Sequence, residues 1–267
     1  MINCVNDSYL FSIPDLKGVA GVLASEERNI VFTSNRGENT VAMIKAGLEP
    51  EVAKVRVGIR PNGLAFDPAR NRLLVANTGD PRVEGSTTVT IVDVAKREVV
   101  CDIPAPGRTR WAIYDRLTDS FYVNIMEPPQ VAVIDGGNPV KVGRTFPVPA
   151  KGPHGLELDS RHKRLYCACD EGKLVTLDTS SGTVGGGSSL SGAPDAVFFN
   201  RDLHHLYVAV GDPGVIDVID TDALERVQTQ STEQGAHTIA FDPKRNKVYA
   251  FLPSTHRAFI FEDAVKE

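Results

Sequence analysis

His154, Asp195 and His237 fall at the same place in three successive copies of a repeated segment. Two imidazoles and a carboxylate converging on one point have the donor set for Zn²⁺, Mn²⁺ or Fe²⁺, with positions left open for water. Water bound to such an ion is acidified into a nucleophile, and Arg110, one copy earlier, suits an anionic substrate group or a developing oxyanion. Two other readings of these residues stand open. They can form a hydrogen-bonded ring around a water-filled channel, with Asp195 paired to Arg110 or a histidine, or they can wall a pocket for an organic ligand without metal.

Further candidates share this end of the repeat. The residue that opens the first strand of each copy is, in order, Ala20, Asn62, Arg110, His154, Asp195 and His237. The second strands end on the same face, at Asn35, Asn77, Ile125, Cys169, Val210 and Leu252. The longer loops follow there: Thr78–Thr87, Met126–Pro129, Gly211–Gly214 and Pro253–Arg257. A face that combines an axial polar ring with variable loops is where such scaffolds carry function. Asn35, Asn62, Asn77, Arg110, Trp111 and His256 are therefore expected to contact a ligand. Glu157 stands where the other copies have Leu, Ala, Ile, Phe or Ala, so it puts a carboxylate into an apolar layer. Such a group must be paired or have a raised pKa, which suits a structural ion pair or a general base one strand-step from His154. His162, His204 and His205 read as solvated residues of the opposite face. Cys169 reads as a small buried hydrophobe, having no evident base to activate it.

The copies are recognised by Ser25, Asp67, Asp115, Asp159, Asn200 and Asp242, each ending an apolar run, with steps of 42, 48, 44, 41 and 42 residues by subtraction. A second apolar run follows about six residues later, as in Leu73-Leu-Val-Ala and Leu206-Tyr-Val-Ala, and then a third, as in Val89-Thr-Ile-Val-Asp. These runs are short, β-branched or aromatic, and punctuated by Gly, Pro, Asn and Asp, which is the signature of strands. A period near 43 with several strands per copy predicts an all-β, six-bladed β-propeller of four-stranded antiparallel blades, as one domain over residues 1–267. First strands that are apolar at successive positions suit burial between neighbouring blades. Fourth strands are expected at Glu98–Ile103, Val142–Val148 and Arg226–Thr229. The last copy lacks one, and Tyr9–Pro14 repeats the pattern of Val99–Pro104, so residues 8–14 are expected to complete that blade and close the ring. Thr183–Gly192 reads as a poor strand with a thin or mobile outer edge.

Composition narrows the classes. The 29 Lys and Arg against 34 Asp and Glu leave a net charge of -5, which disfavours a nucleic-acid partner held by a basic surface. No apolar run approaches a membrane span, and the first residues lack the charged and apolar regions of a secretory signal. The four cysteines contain no CxxC pair and read as reduced thiols of a soluble, cytoplasmic protein. No nucleotide-binding glycine loop, nucleophile elbow or haem-attachment motif occurs.

Pro61-Asn-Gly-Leu-Ala-Phe-Asp-Pro68, Leu73-Leu-Val-Ala-Asn77 and Thr88-Val-Thr-Ile-Val-Asp93 resemble the YVTN/YncE-type repeats, relatives of NHL repeats. The resemblance covers essentially the chain and implies a propeller, whereas such propellers serve as scaffolds, ligand binders and enzymes alike. Relatives often have seven blades. Six copies instead resemble the metal-dependent lactonases, which favour acidic and amide oxygens around Ca²⁺; Asn62 and Asp195 suit that ion, and the two histidines and Arg110 do not. The reading adopted is a propeller that binds a small molecule, with a divalent metal at His154, Asp195 and His237, in the manner of a metal-assisted hydrolase. The alternative is a non-catalytic scaffold that holds a protein partner through its rim loops, such as Met126-Glu-Pro-Pro129.

Overall fold

The Asp or Asn that ends five of the six first strands has a local physical task. In a computed structural model of the chain, which describes residues 1–45, 47 and 50–264, the Oδ1 of Asp67, Asp159 and Asn200 each accepts the backbone N–H groups two and three residues on. Asp115 does the same with both carboxylate oxygens. This is the side-chain-closed turn for which Asp and Asn are favoured. Four residues after the end of the first strand the chain takes the left-handed conformation in all six copies, at Asn29, Asn71, Asp119, Lys163, His204 and Asn246, with φ between 47° and 54°. Asn, Asp and His are enriched in that region, and Lys163 adopts it against its preference.

The turn joins the first two strands of every sheet. At the N-terminus, β1 (Ile2–Asn3) and β2 (Ser8–Tyr9) make a small hairpin. The first sheet holds β3 (Val19–Ser25), β4 (Ile30–Asn35), β5 (Thr40–Lys45) and β6 (Glu51–Arg56). The second holds β7 (Pro61–Asp67), β8 (Arg72–Asn77), β9 (Thr88–Asp93) and β10 (Glu98–Pro104). The third holds β11 (Thr109–Asp115), β12 (Ser120–Ile125), β13 (Gln130–Asp135) and β14 (Arg144–Pro147). The fourth holds β15 (Pro153–Asp159), β16 (Arg164–Cys169), β17 (Lys173–Asp178) and β18 (Val184–Ser189). The fifth holds β19 (Pro194–Asn200), β20 (His205–Val210), β21 (Val215–Asp220) and β22 (Glu225–Ser231). The sixth holds β23 (Thr238–Asp242), β24 (Lys247–Leu252) and β25 (Arg257–Glu262). Consecutive strands pair antiparallel, as expected for propeller blades. No helix among the described residues is long and apolar enough to cross a membrane.

The chain forms two compact units, residues 1–123 with 132–144, and residues 124–131 with 145–267. In the first unit the inner strands β3 and β7 lie side by side, and a core of Phe32, Val41, Met43, Leu64, Leu73 and Val75 fills the space between the first two sheets. In the second unit β15 adjoins β19, and Tyr166, Leu174, Val197, Leu206 and Val208 form the corresponding core. The middle strands are buried on both faces, which is why they read as continuous apolar runs rather than alternating ones.

Two expectations meet a different arrangement. Thr183–Gly192 is not a poor strand: Val184–Ser189 pairs with β17 through a bulge after Thr176. Pairing needs only the backbone, and a Cβ on Gly187 would meet the Leu174 carbonyl oxygen at 2.1 Å. The glycines permit this strand rather than break it. Among the described residues the sixth sheet has three strands, and Ser8–Tyr9, expected beside it, pairs with Ile2–Asn3.

Candidate functional site

A β-bulge sets the direction of the axial side chains. The pairing of the first strand with the second slips after Val19, Pro61, Pro153 and Pro194, just where the axial residue sits. Bulges bend the strand and re-aim a side chain. In the second unit this turns His154 of β15 and Asp195 of β19 toward one another, with His237 just ahead of β23. The close approach of β15 to β19 depends on Gly155, where a Cβ would lie 2.4 Å from Val197 Cγ2 and 2.5 Å from the Asp195 carbonyl oxygen.

His154 Nδ1 lies 2.7 Å from Asp170 Oδ1, and His154 Nε2 lies 3.5 Å from Asp195 Oδ1. The other oxygen of Asp195 is 3.8 Å from His237 Nε2, and His237 Nδ1 is 2.7 Å from the Gly235 carbonyl oxygen. A carboxylate and a carbonyl can only accept, so both Nδ1 atoms donate. Each Nε2 then faces the Asp195 carboxylate. As neutral rings the two would present lone pairs there and, with Asp195, make a donor set for a cation. Its depth is graded: the side chains of His154, Asp195 and His237 are 16%, 34% and 55% exposed.

Asp170 is the member that sequence reading missed. It is the residue immediately after the second-strand end at Cys169, one step beyond the positions scanned, and in the other copies that place is held by Arg36, Thr78, Met126, Gly211 and Pro253. Arg36 is itself engaged in the first unit, donating to Asn62 Oδ1 at 2.8 Å. The other expected ligand contacts are largely built into the scaffold. Asn35 donates to Thr40 Oγ1, and Asn77 donates to Thr88 Oγ1 and Thr90 Oγ1, both within the first unit and both fully buried. Arg110 and Trp111 open β11, also in the first unit, each partly buried. His256 is exposed in the turn ahead of β25.

Glu157 does not join the imidazoles. Its Oε1 accepts the Leu158 backbone N–H at 2.9 Å, and burial pushes its carboxyl up to about 7, against the lowering effect of hydrogen bonds from the Leu158 and Phe199 backbones and of Arg201. The group ionises near 4.5 when unfolded, so its contribution is complete below that pH. It falls as pH rises toward 7, because the unfolded chain releases the proton first. Glu157→Gln should abolish this fall. Allowing for the residual exposure of the side chain, the variant should gain about 2 kcal/mol over the wild type between pH 4.5 and pH 8 in urea unfolding. An unchanged difference across that range would show that Glu157 is ionised in the fold.

All four cysteines are free. Cys167 and Cys169 lie buried with their sulfurs 3.8 Å apart, and Cys167 donates to Asn124, whose amide in turn donates to the carbonyls of His154 and Gly155. The hydrogen-bonded Cys169 thiol and burial hold Cys167 well above the ordinary thiol range, which suits an inert structural role. On the opposite face His162, His204 and His205 are less free than expected, each with Nδ1 against a carboxylate, of Asp159, Asp222 and Asp263 respectively. All six histidines of the chain belong to the second unit.

No family model matches the chain. It is 23% identical over 259 residues to the uncharacterized protein YncE of Salmonella typhimurium, covering 90% of this chain and 71% of that protein. It is 26% identical over 182 residues to YncE of Escherichia coli K12, spanning 63% of this chain and half of that protein. Among solved structures it resembles a functionally unknown protein from Desulfotomaculum acetoxidans, with a TM-score of 0.77 at 15% identity over 94% of this chain and 84% of that one. It also resembles Kuenenia stuttgartiensis hydrazine synthase, with a TM-score of 0.66 at 16% identity over 97% of this chain and all of that one. At such identities the structural likeness concerns the fold alone. The repeated side-chain-closed turn and the six consecutive antiparallel sheets are those of a β-propeller, and the sequence is similar to that of the YncE proteins.

Proposed function

We propose that this YncE-like chain binds a small molecule through a divalent cation held by His154 Nε2, His237 Nε2 and Asp195. The observation that carries the reading is the pinning of both Nδ1 atoms by acceptors, Asp170 and the Gly235 carbonyl, which leaves both Nε2 atoms facing one carboxylate. Metal-binding histidines characteristically donate their second ring nitrogen in this way. The gaps of 3.5 and 3.8 Å compare with an N···O edge of about 3.4 Å for tetrahedral bonds near 2.1 Å. As they are placed, no three His, Cys, Asp or Glu among the described residues stand close enough to hold an ion, so binding requires these side chains to draw in toward one point. The exposure of Asp195 and His237 gives them room to do so. Three protein ligands leave a position for water or substrate, and an ion there would supply an acidified water for hydrolysis of a small substrate.

The test is uptake by the whole chain of Zn²⁺, Mn²⁺ or Co²⁺ after chelation, followed by elemental analysis and calorimetry. One ion per chain is expected, and Asp170→Asn should weaken binding by about tenfold or more, because the amide no longer holds the His154 ring as the carboxylate does. Absence of stoichiometric uptake for all three ions would overturn the cation reading.

A further inference from the structure

We infer that His162 and His204 form a second cation site, and that it takes a tetragonal divalent ion, Cu²⁺ or Ni²⁺. The two residues lie beyond the far ends of β15 and β19 from His154 and Asp195, and the site shares no residue with the one proposed above. Each histidine belongs to the turn between the first two strands of its sheet, His162 in the fourth and His204 in the fifth. Their ring centroids are 6.3 Å apart, with the planes inclined at 60°.

Both turns are held by bonds that the fold itself requires. Asp159 Oδ1 accepts the backbone N–H groups of Arg161 and His162, while its Oδ2 lies 2.6 Å from His162 Nδ1. The His204 carbonyl accepts both the N–H and the hydroxyl of Thr221. The next residue, Asp222, has Oδ2 2.8 Å from His204 Nδ1. Arg164, at the start of β16, donates to the Thr221 carbonyl at 2.7 Å and so ties the fourth sheet to the fifth, between residues that neighbour the two histidines. The spacing of the rings is thus set from outside the rings.

A carboxylate can only accept, so both Nδ1 atoms donate. Neither Nε2 has a hydrogen-bonding partner among the described residues. As neutral rings the two present lone pairs, and a carboxylate behind a ligating imidazole fixes its tautomer and raises its basicity. An ion about 2.1 Å from each Nε2 puts the ring centres about 4.6 Å apart at a right angle and about 6.5 Å apart when the nitrogens are opposed. The observed 6.3 Å belongs to the opposed end of that range. Opposed imidazoles suit the tetragonal geometry of Cu²⁺ and Ni²⁺, with water in the remaining positions, better than the tetrahedron of Zn²⁺. The side chains of His162 and His204 are 60% and 45% exposed, which gives both rings room to turn onto the ion.

The test is calorimetric titration of Cu²⁺ into the whole chain carrying His154→Ala and His237→Ala, with electron paramagnetic resonance of the product. One ion per chain is expected, with an axial spectrum and coupling to two nitrogens, and it should raise the melting temperature because only the folded chain brings the two turns together. His162→Gln in that background should weaken binding by about tenfold or more and leave coupling to one nitrogen. Asp222→Asn should weaken it by about tenfold. Its carboxylate is exposed and bonds only the His204 ring, so this change does not burden the fold. Absence of stoichiometric Cu²⁺ in the parent would overturn the inference, as would binding that His162→Gln and His204→Gln leave unchanged. Because the parent lacks both histidines of the other site, either result stands whatever that site binds.

Discussion

Replacing His154 and His237 together by Ala should lower affinity for Zn²⁺ by at least about a hundredfold while leaving the fold intact. The double change removes two of three proposed ligands. Loss of a single outer-shell partner already costs about 10- to 100-fold in comparable sites, so two ligands should cost more. The fold should survive because neither ring fills a core: His237 is more exposed than buried, and His154 lies at the mouth of β15. Calorimetric titration beside thermal unfolding separates the two effects. Equal metal content in the variant and the wild type would remove these histidines from the site. An equal melting temperature with no metal in either would remove the metal ion and leave the two imidazoles and Asp195 to an organic ligand.

Tyr166→Ala should be the most destabilising single change in the second unit, by about 3–5 kcal/mol, as for other large aromatic truncations in cores. The side chain is fully buried, packs among Ala168, Val197, Leu206 and Val208, and lies 5.4 Å from the Phe199 ring. Its hydroxyl also bonds Thr221, so truncation leaves both a void and an unmet polar group. For a chain of this size the melting temperature should fall by roughly 10 °C. Urea unfolding followed by fluorescence and by circular dichroism would check it; a loss below about 1 kcal/mol would mean that the interface between the fourth and fifth sheets relaxes into the void. Because that interface carries both His154 and Asp195, metal affinity should fall in parallel.

Most of the architecture was legible because the signals are local and repeated. Asp67, Asp115, Asp159 and Asn200 close the same turn through their own side chains, so the spacing of these residues is the spacing of the sheets. The runs around Leu73, Phe121, Leu165 and Leu206 are apolar because both faces of those strands are covered. Val184–Ser189 was illegible for the opposite reason: its pairing uses backbone alone, and glycine content says nothing about what lies beside it. The site was legible in part. Alignment of the copies brought out His154, Asp195 and His237, since equivalent positions of adjacent sheets must be neighbours. It could not reveal that Asn35 and Asn77 spend their amides on nearby threonines, or that the Glu157 carboxyl bonds the backbone of its own strand.

Sequence by itself determined the repeat, the strand class and the identity of the polar residues that open each first strand, because turn chemistry and hydrophobic patterning act over a few residues. Tertiary structure decided which of those residues share a site. The bulge that aims His154 and Asp195, the partner Asp170 that orients one imidazole and the Gly235 carbonyl that orients the other all depend on how separate strands are placed against one another. Hydrogen-bond direction is decided by contacts at a few ångströms, and no spacing along a chain records which way a ring nitrogen points.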